Sequence, residues 1–211
     1  MTRIFLASRN EKKLGEMRRI LTPYVPDIEV LGLDDVEPYD EPAETDPTFE
    51  GNALIKAHAG VVASGLPSLA DDSGLCVDAL NGMPGVLSAR WSGVEKTGGV
   101  DVDRANNHLL LAQLSDVPDD RRGAHFACAV AFAYPVGAGG VFEHVVHGVM
   151  SGSIIRSMRG GGGFGYDVLF VADGQTATSA ELSPEEKDAI SHRGTALREI
   201  APVVADVLTG L

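Results

Sequence analysis

Apolar positions along the chain recur with two periods, and the switches between them mark its elements. Ile4 to Ala7 reads as a short strand, after which Leu14, Met17, Ile20 and Leu21 recur at helical spacing behind Asn10 as N-cap. A strand over Ile28 to Leu31 precedes an acidic, proline-marked loop from Asp34 to Asp46. Phe49, Ala53, Leu54, Ala57 and Val61 then form the buried stripe of a second helix, capped by Asp46, with Pro47 in its first turn and Gly65 as its stop. The next strand runs into Asp71 and Asp72 and turns at a glycine. A further short strand follows from Cys76 to Leu80, and a glycine-rich excursion fills Asn81 to Gly99. Leu109, Leu110 and Leu114 face inward on a helix from about Asp103 to Leu114. Two longer β segments, His125 to Tyr134 and Val141 to Ile155, have the spacing of a hairpin with a loose turn. The tail predicts a strand at Val168 to Val171, a capping box at Ser183 to Glu186 and a final helix from about Thr195.

This order predicts an α/β fold with a long mixed central β-sheet flanked by helices, in two lobes that share the sheet and leave a cleft for the active site. No repeat or long linker divides the chain, so residues 1–211 read as a single two-lobed domain.

Composition narrows the class. With 44% hydrophobic and 22% charged residues the chain is an ordinary globular protein. Cys76 and Cys128 sit in apolar runs, as buried reduced thiols do, which suits a cytoplasmic compartment. The first strand is too short for a signal-peptide core, and no apolar run reaches membrane length, so no membrane partner is expected. A formal charge of −13 repels polyanions and argues against a nucleic-acid polymer. A small anionic substrate needs only a local cationic pocket, and Arg3, Arg9, Lys12, Lys13, Arg18 and Arg19 all fall near the amino terminus.

Five clusters offer chemistry, and each also has a purely structural explanation. Asp71 and Asp72 are costly to desolvate without a cation, and their hard oxygens suit magnesium; the alternative is a solvated turn in which Asp71 caps an amide. Being adjacent, they diverge on a regular strand and share a metal only if a turn begins there. The turn Ser8-Arg9-Asn10-Glu11-Lys12-Lys13 joins a strand to a helix amino terminus, a geometry that favours phosphate, although the Walker pattern is absent; it is equally a capped surface helix. Thr48, Asn52 and Lys56 share one helix face, from which Lys56 either reaches a cleft or covers the core with its stem. The loop Gly160 to Asp167 carries a formal G-x-G-x-x-G, but a strand follows it where a dinucleotide site needs a helix. What remains is a close-approach loop with Phe164 and Tyr166, either able to stack on a base or to serve the core. Lys187, His192 and Arg193 surround a helix break, as donors into a site or as caps. His144 and His147 face opposite sides of a strand and cannot share a metal.

Together, Ser8-x-Asn10-x-x-Lys13, Thr48-Phe49 with Asn52-Ala53-x-x-Lys56-Ala57, Ala70-Asp-Asp-Ser-Gly-Leu75, Gly162-Gly-Phe-Gly-Tyr-Asp167 and Ser191-His-Arg193 resemble the inosine triphosphate pyrophosphatase family, also called XTP/dITP diphosphatases. The blocks occur in that family's order across nearly the whole chain. The resemblance implies hydrolysis of non-standard purine nucleoside triphosphates (ITP, dITP, XTP) to monophosphate and pyrophosphate, with Mg2+, in a homodimer. It implies that Ser8, Arg9, Asn10, Glu11, Lys12, Lys13, Asn52 and Lys56 approach the triphosphate and that Glu44, Asp71 and Asp72 hold the metal. It assigns Asp72 as proton acceptor, Ser73 as a substrate contact, and Phe164, Gly165, Tyr166, Asp167, Lys187, His192 and Arg193 as the nucleoside pocket. One departure is Gly51, where many members carry Glu. Two rivals remain: a related pyrophosphatase for modified pyrimidine nucleotides or m7GTP, and a nucleotide-binding module without turnover.

Overall fold

The computed structural model describes residues 2–8, 11–26, 28–95, 99–137 and 139–210, with Thr2 and Glu11 described by their backbone alone. Among the described residues, six strands hydrogen-bond in the order β2-β1-β3-β4-β5-β6. They are β1 Thr2–Leu6, β2 Ile28–Leu31, β3 Ser68–Val77, β4 Gly123–Val136, β5 Gly140–Ile154 and β6 Phe170–Ala172. β1 runs parallel to both β2 and β3, with Phe5 opposite Ser68 and Leu6 opposite Leu69, whereas β5 and β6 are antiparallel. The sheet is therefore mixed, as the sequence pattern predicts. Among the described residues, five α-helices accompany it: α1 Glu11–Leu21, α2 Phe49–Ser64, α3 Val102–Gln113, α4 Pro184–Ile190 and α5 His192–Gly210.

The chain forms two compact units. Unit 1 comprises residues 1–72, 128–148 and 193–211; unit 2 comprises 73–127 and 149–192. Alternation along β4 organises unit 1. Cys128, Val130 and Phe132 join one core with Leu14, Met17, Leu197, Ile200 and Val204, while Ala129, Ala131 and Ala133 join a second with Ala53, Ala57 and Val61 of α2. Small residues on both sides let α2 approach closely. A Cβ on Gly60 would collide with Ser68 Oγ and the Phe5 ring. α2 starts at Thr48, whose hydroxyl accepts from Gly51 N, and ends at Gly65, whose N–H donates to Val61 O. Unit 2 has its own core of Leu75, Val77, Leu110, Leu114, Phe126, Met150, Leu169 and Phe170.

The structure corrects four boundaries. Where the pattern predicts a turn at Ser73-Gly74 and a separate strand from Cys76, β3 continues unbroken to Val77 and residues 78–80 form a 3-10 turn. Asp46 does not cap α2; its carboxylate accepts from Thr48 N and Oγ, and Thr48 is the cap. Val168 and Leu169 precede β6 as turn. α5 begins at His192 rather than Thr195, directly after Ser191 ends α4. Cys76 and Cys128 are both free thiols, Cys128 buried and Cys76 partly so.

Candidate active site

Because β3 stays extended through both acids, their side chains leave on opposite faces. Asp71 accepts from Arg193 Nε and Nη2, both at 3.1 Å, and from Lys13 Nζ at 2.9 Å to each oxygen. Arg193 also donates from Nη1 to Glu16 at 2.8 Å. Two acids and two cations thus close a charge-balanced chain in which Glu16, Asp71 and Arg193 are all buried. Burial would raise the Asp71 carboxyl pKa, but Lys13, Arg193 and Lys56 outweigh it and hold the group well below the usual carboxylate range. This carboxylate is already fully engaged.

Asp72 has a different environment. Its Oδ2 accepts from Asn52 at 3.3 Å and its Oδ1 from Lys56 at 3.1 Å, while the same ammonium donates to Glu44 at 3.0 Å. Two carboxylates share this lysine. Burial pushes the Asp72 pKa up, Lys56 opposes this, and Glu44 adds to the rise, so the group holds its proton more readily than an ordinary aspartate. Lys56, buried among three acids, is held in its charged form: burial lowers its pKa, and Asp71, Asp72 and Glu44 more than reverse that.

The acidic loop is tied to α2 by a small network. Asn52 Oδ1 accepts from Asp46 N at 2.9 Å and Asn52 Nδ2 donates to Asp46 O at 3.1 Å, so one buried amide braces both the loop and Asp72. A Cβ at Gly51 would collide with the Asp46 carboxyl, which gives a physical reason for glycine there. Beside Lys56 and Glu44 lies a cavity of about 140 Å³, also lined by Ala7, Tyr39, Glu41 and Pro42.

Among the described residues, no group of three or more His, Cys, Asp or Glu side chains converges as a metal-ligand set. Glu44 and Asp72 nevertheless fit one hard cation, because magnesium commonly uses one or two carboxylates and takes its other ligands from water and substrate phosphates. The oxygens of Asp71, also expected as a ligand, accept from Arg193 and Lys13.

Of the other expected phosphate contacts, Arg9 and Asn10 lie outside the described residues and Glu11 is described only as the start of α1. Ser8 is half-buried after β1, Lys12 is exposed, and Lys13 in the first turn of α1 is turned onto Asp71. Ser73, half-buried, follows Asp72 on β3. β1 and α1 are the strand and helix expected at the amino terminus.

In unit 2, Asp167 organises the glycine loop. Its Oδ2 accepts from Phe164 N at 2.8 Å and from Lys187 Nζ at 2.5 Å, and Lys187 Nζ lies 4.7 Å from the Phe164 ring centroid. Gly163 is left-handed at φ +67°, and a Cβ there would strike the Asp167 carboxylate. Of the two aromatic candidates, Phe164 is half-exposed. Tyr166 belongs to the unit 2 core, donates its hydroxyl to Ser88 O at 3.0 Å, and has its phenol pKa raised by burial. His192 stacks on Phe126 with ring centroids 4.9 Å apart. Arg193, also expected in this group, is the residue that donates to Asp71 and Glu16.

Sequence reasoning missed Glu16 and the tie between Asn52 and Asp46. Glu16 had a signal, because it lies between Leu14 and Met17 on the apolar side of α1 and so needed a buried partner.

A sequence profile of the Ham1 family matches residues 4–203. A Nocardia farcinica protein named dITP/XTP pyrophosphatase is 58% identical over 97% of this chain and 96% of its own length. The crystal structure of a dITP/XTP pyrophosphatase from Mycobacterium abscessus is 55% identical, with a TM-score of 0.73 over 95% of this chain and 99% of that one. A HAM1 protein from Coxiella burnetii is 38% identical, with a TM-score of 0.81 over 98% of this chain and 100% of that one.

Proposed function

The chain belongs to the Ham1 family, and on that premise we propose that it is a dITP/XTP pyrophosphatase that hydrolyses non-standard purine nucleoside triphosphates to the monophosphate and pyrophosphate. The observation that carries this reading is the contrast between the adjacent acids: Asp71 is neutralised by Lys13 and Arg193, while Asp72 and Glu44 share a single ammonium. One acid builds the fold and the other is left for chemistry.

Water attacks the α-phosphorus, the bond from that phosphorus to the bridging oxygen breaks, and pyrophosphate leaves with the bond's electron pair. Asp72 orients the water and accepts its proton, a role suited to an aspartate whose pKa is raised. Asn52 holds Asp72 in place. Lys13 and Lys56 offer ammonium charge to the phosphate oxygens that grow more negative as pyrophosphate departs. Glu44 and Asp72 would hold Mg2+, which when bound neutralises phosphate charge and activates water. In unit 2, Phe164 stacks on the base and Lys187 and His192 supply donors for a 6-oxo purine. Adenine presents an amino group at that position and leaves those donors unpaired. Residues 1–211 act as one catalytic domain. The enzyme works as a cytoplasmic homodimer; among the described residues no helix is long and apolar enough to cross a membrane.

A substrate panel tests this. With Mg2+, dITP and XTP should release pyrophosphate and monophosphate faster than dATP, dGTP or pyrimidine nucleotides. A preference for pyrimidines or m7GTP, or tight binding without product, overturns the reading.

A further inference from the structure

The loop assigned above to the base is held from α3, an element that the proposed chemistry does not use. Gly165, at its centre, has both peptide groups engaged by that helix. Its N–H donates to Asp103 Oδ2 at 2.7 Å, and its carbonyl accepts from Asn107 Nδ2 at 2.8 Å. Asn107 Nδ2 also donates to Asp103 O at 2.7 Å, so two carbonyl acceptors fix the orientation of the amide. Asn107 is only 2% exposed. The neighbouring Asn106 holds a second segment: its Oδ1 accepts from Ser92 N at 2.7 Å, and its Nδ2 donates to Ser88 O and Ala89 O, both at 3.3 Å. Tyr166 ties the two segments together through its bond to Ser88 O. One turn of α3 thus brackets both the loop 163–167 and the stretch 88–92.

We infer that Asp103 and Asn107 are positioning residues for base selection: by gripping both peptide groups of Gly165 they set where the adjacent Phe164 ring stands against Lys187. This rests on the assignment of Phe164 and Lys187 to the base. A ring fixed from both sides of its neighbouring peptide discriminates between purines by position, whereas a loop free to shift accommodates the wrong one. Asp103 needs only an acceptor oxygen for its part. Asn107 needs its two donor hydrogens, and a carboxylate there would set oxygen against the carbonyls of Asp103 and Gly165.

Three variants, Asp103→Ala, Asp103→Asn and Asn107→Asp, are compared in the full chain. The readouts are KM and kcat for dITP and dGTP, the Ki of inorganic tripolyphosphate, and calorimetric binding of IMP. Asp103→Ala changes an exposed side chain. It should raise KM for dITP and weaken IMP binding about tenfold, cut the dITP over dGTP preference about tenfold, and leave the tripolyphosphate Ki within about twofold. Asp103→Asn keeps the acceptor and should restore most of the preference. Asn107→Asp should lose at least as much as Asp103→Ala. Unchanged preference and IMP affinity in Asp103→Ala overturn the inference, as does a matching loss of tripolyphosphate affinity, which would mark a general structural defect. If the wild-type protein binds IMP but turns over no dITP, the pyrophosphatase reading fails while the IMP comparison still decides this one.

Discussion

Replacing Asp71 by Asn isolates the buried charge chain from the chemistry next to it. In the wild-type protein the Asp71 carboxylate, 1% exposed as a side chain, meets Lys13 at 2.9 Å and Arg193 at 3.1 Å. The amide is nearly isosteric, so packing is preserved and the loss is electrostatic. It leaves Arg193, 2% exposed, with Glu16 as its carboxylate partner and turns two amide hydrogens toward existing donors. Removing one member of a buried ion pair costs about 3–5 kcal/mol. At roughly 2–4 °C per kcal/mol for a chain of this size, the melting temperature should fall by about 6–20 °C. The pH dependence gives a second readout. The folded carboxyl pKa lies below the unfolded one, so its stabilisation is fully present above about pH 4 and is lost progressively as pH falls further. Asp71→Asn lacks that contribution, so its stability should decline less steeply below pH 4 than that of the wild type. Denaturant unfolding at a series of pH values measures both effects. A variant within about 1 kcal/mol of wild type, with the same acid limb, would refute the charge chain.

Asp72→Asn should lower kcat by about 10²–10⁴ while IMP binding stays within a few-fold; near-normal turnover would remove Asp72 from proton transfer. Lys56→Met should weaken triphosphate binding by about tenfold or more and monophosphate binding much less, since a charge-assisted bond contributes about 1.5–3 kcal/mol; equal losses would argue against a phosphate contact. Gly51→Ala gains about 1 kcal/mol in helix propensity but forces the Asp46 carboxyl aside, so the net result should be a lower unfolding midpoint, and a higher one would contradict the crowding. Chelation should abolish pyrophosphate release and Mg2+ restore it; activity unaffected by chelator would count against Glu44 and Asp72 as cation ligands.

The elements themselves were legible because their signals are local. Apolar spacing predicts α1, α2 and the β4–β5 hairpin, Gly65 closes α2, and the Ser183–Glu186 capping box forms as expected, with Ser183 Oγ accepting from Glu186 N and Glu186 accepting from Ser183 N. Each depends on groups within about one turn or one strand pair of each other. The phosphate and metal motifs were also visible as clusters of residue types. Which of two adjacent, chemically identical acids would pair with Lys13 and Arg193 was not.

The sequence alone determined the alternation of strands and helices, the mixed α/β class and the family, because periodicity, caps and motif blocks are written in consecutive residues. Only the tertiary structure decided that β3 runs on through Ser73-Gly74, sending Asp71 and Asp72 to opposite faces, and that Tyr166 belongs to the core while Phe164 does not. It also placed Arg193 on a carboxylate 122 residues distant. The physical reason is that a buried charge must find its counter-charge wherever packing brings one within about 3 Å, and chain order does not encode that distance.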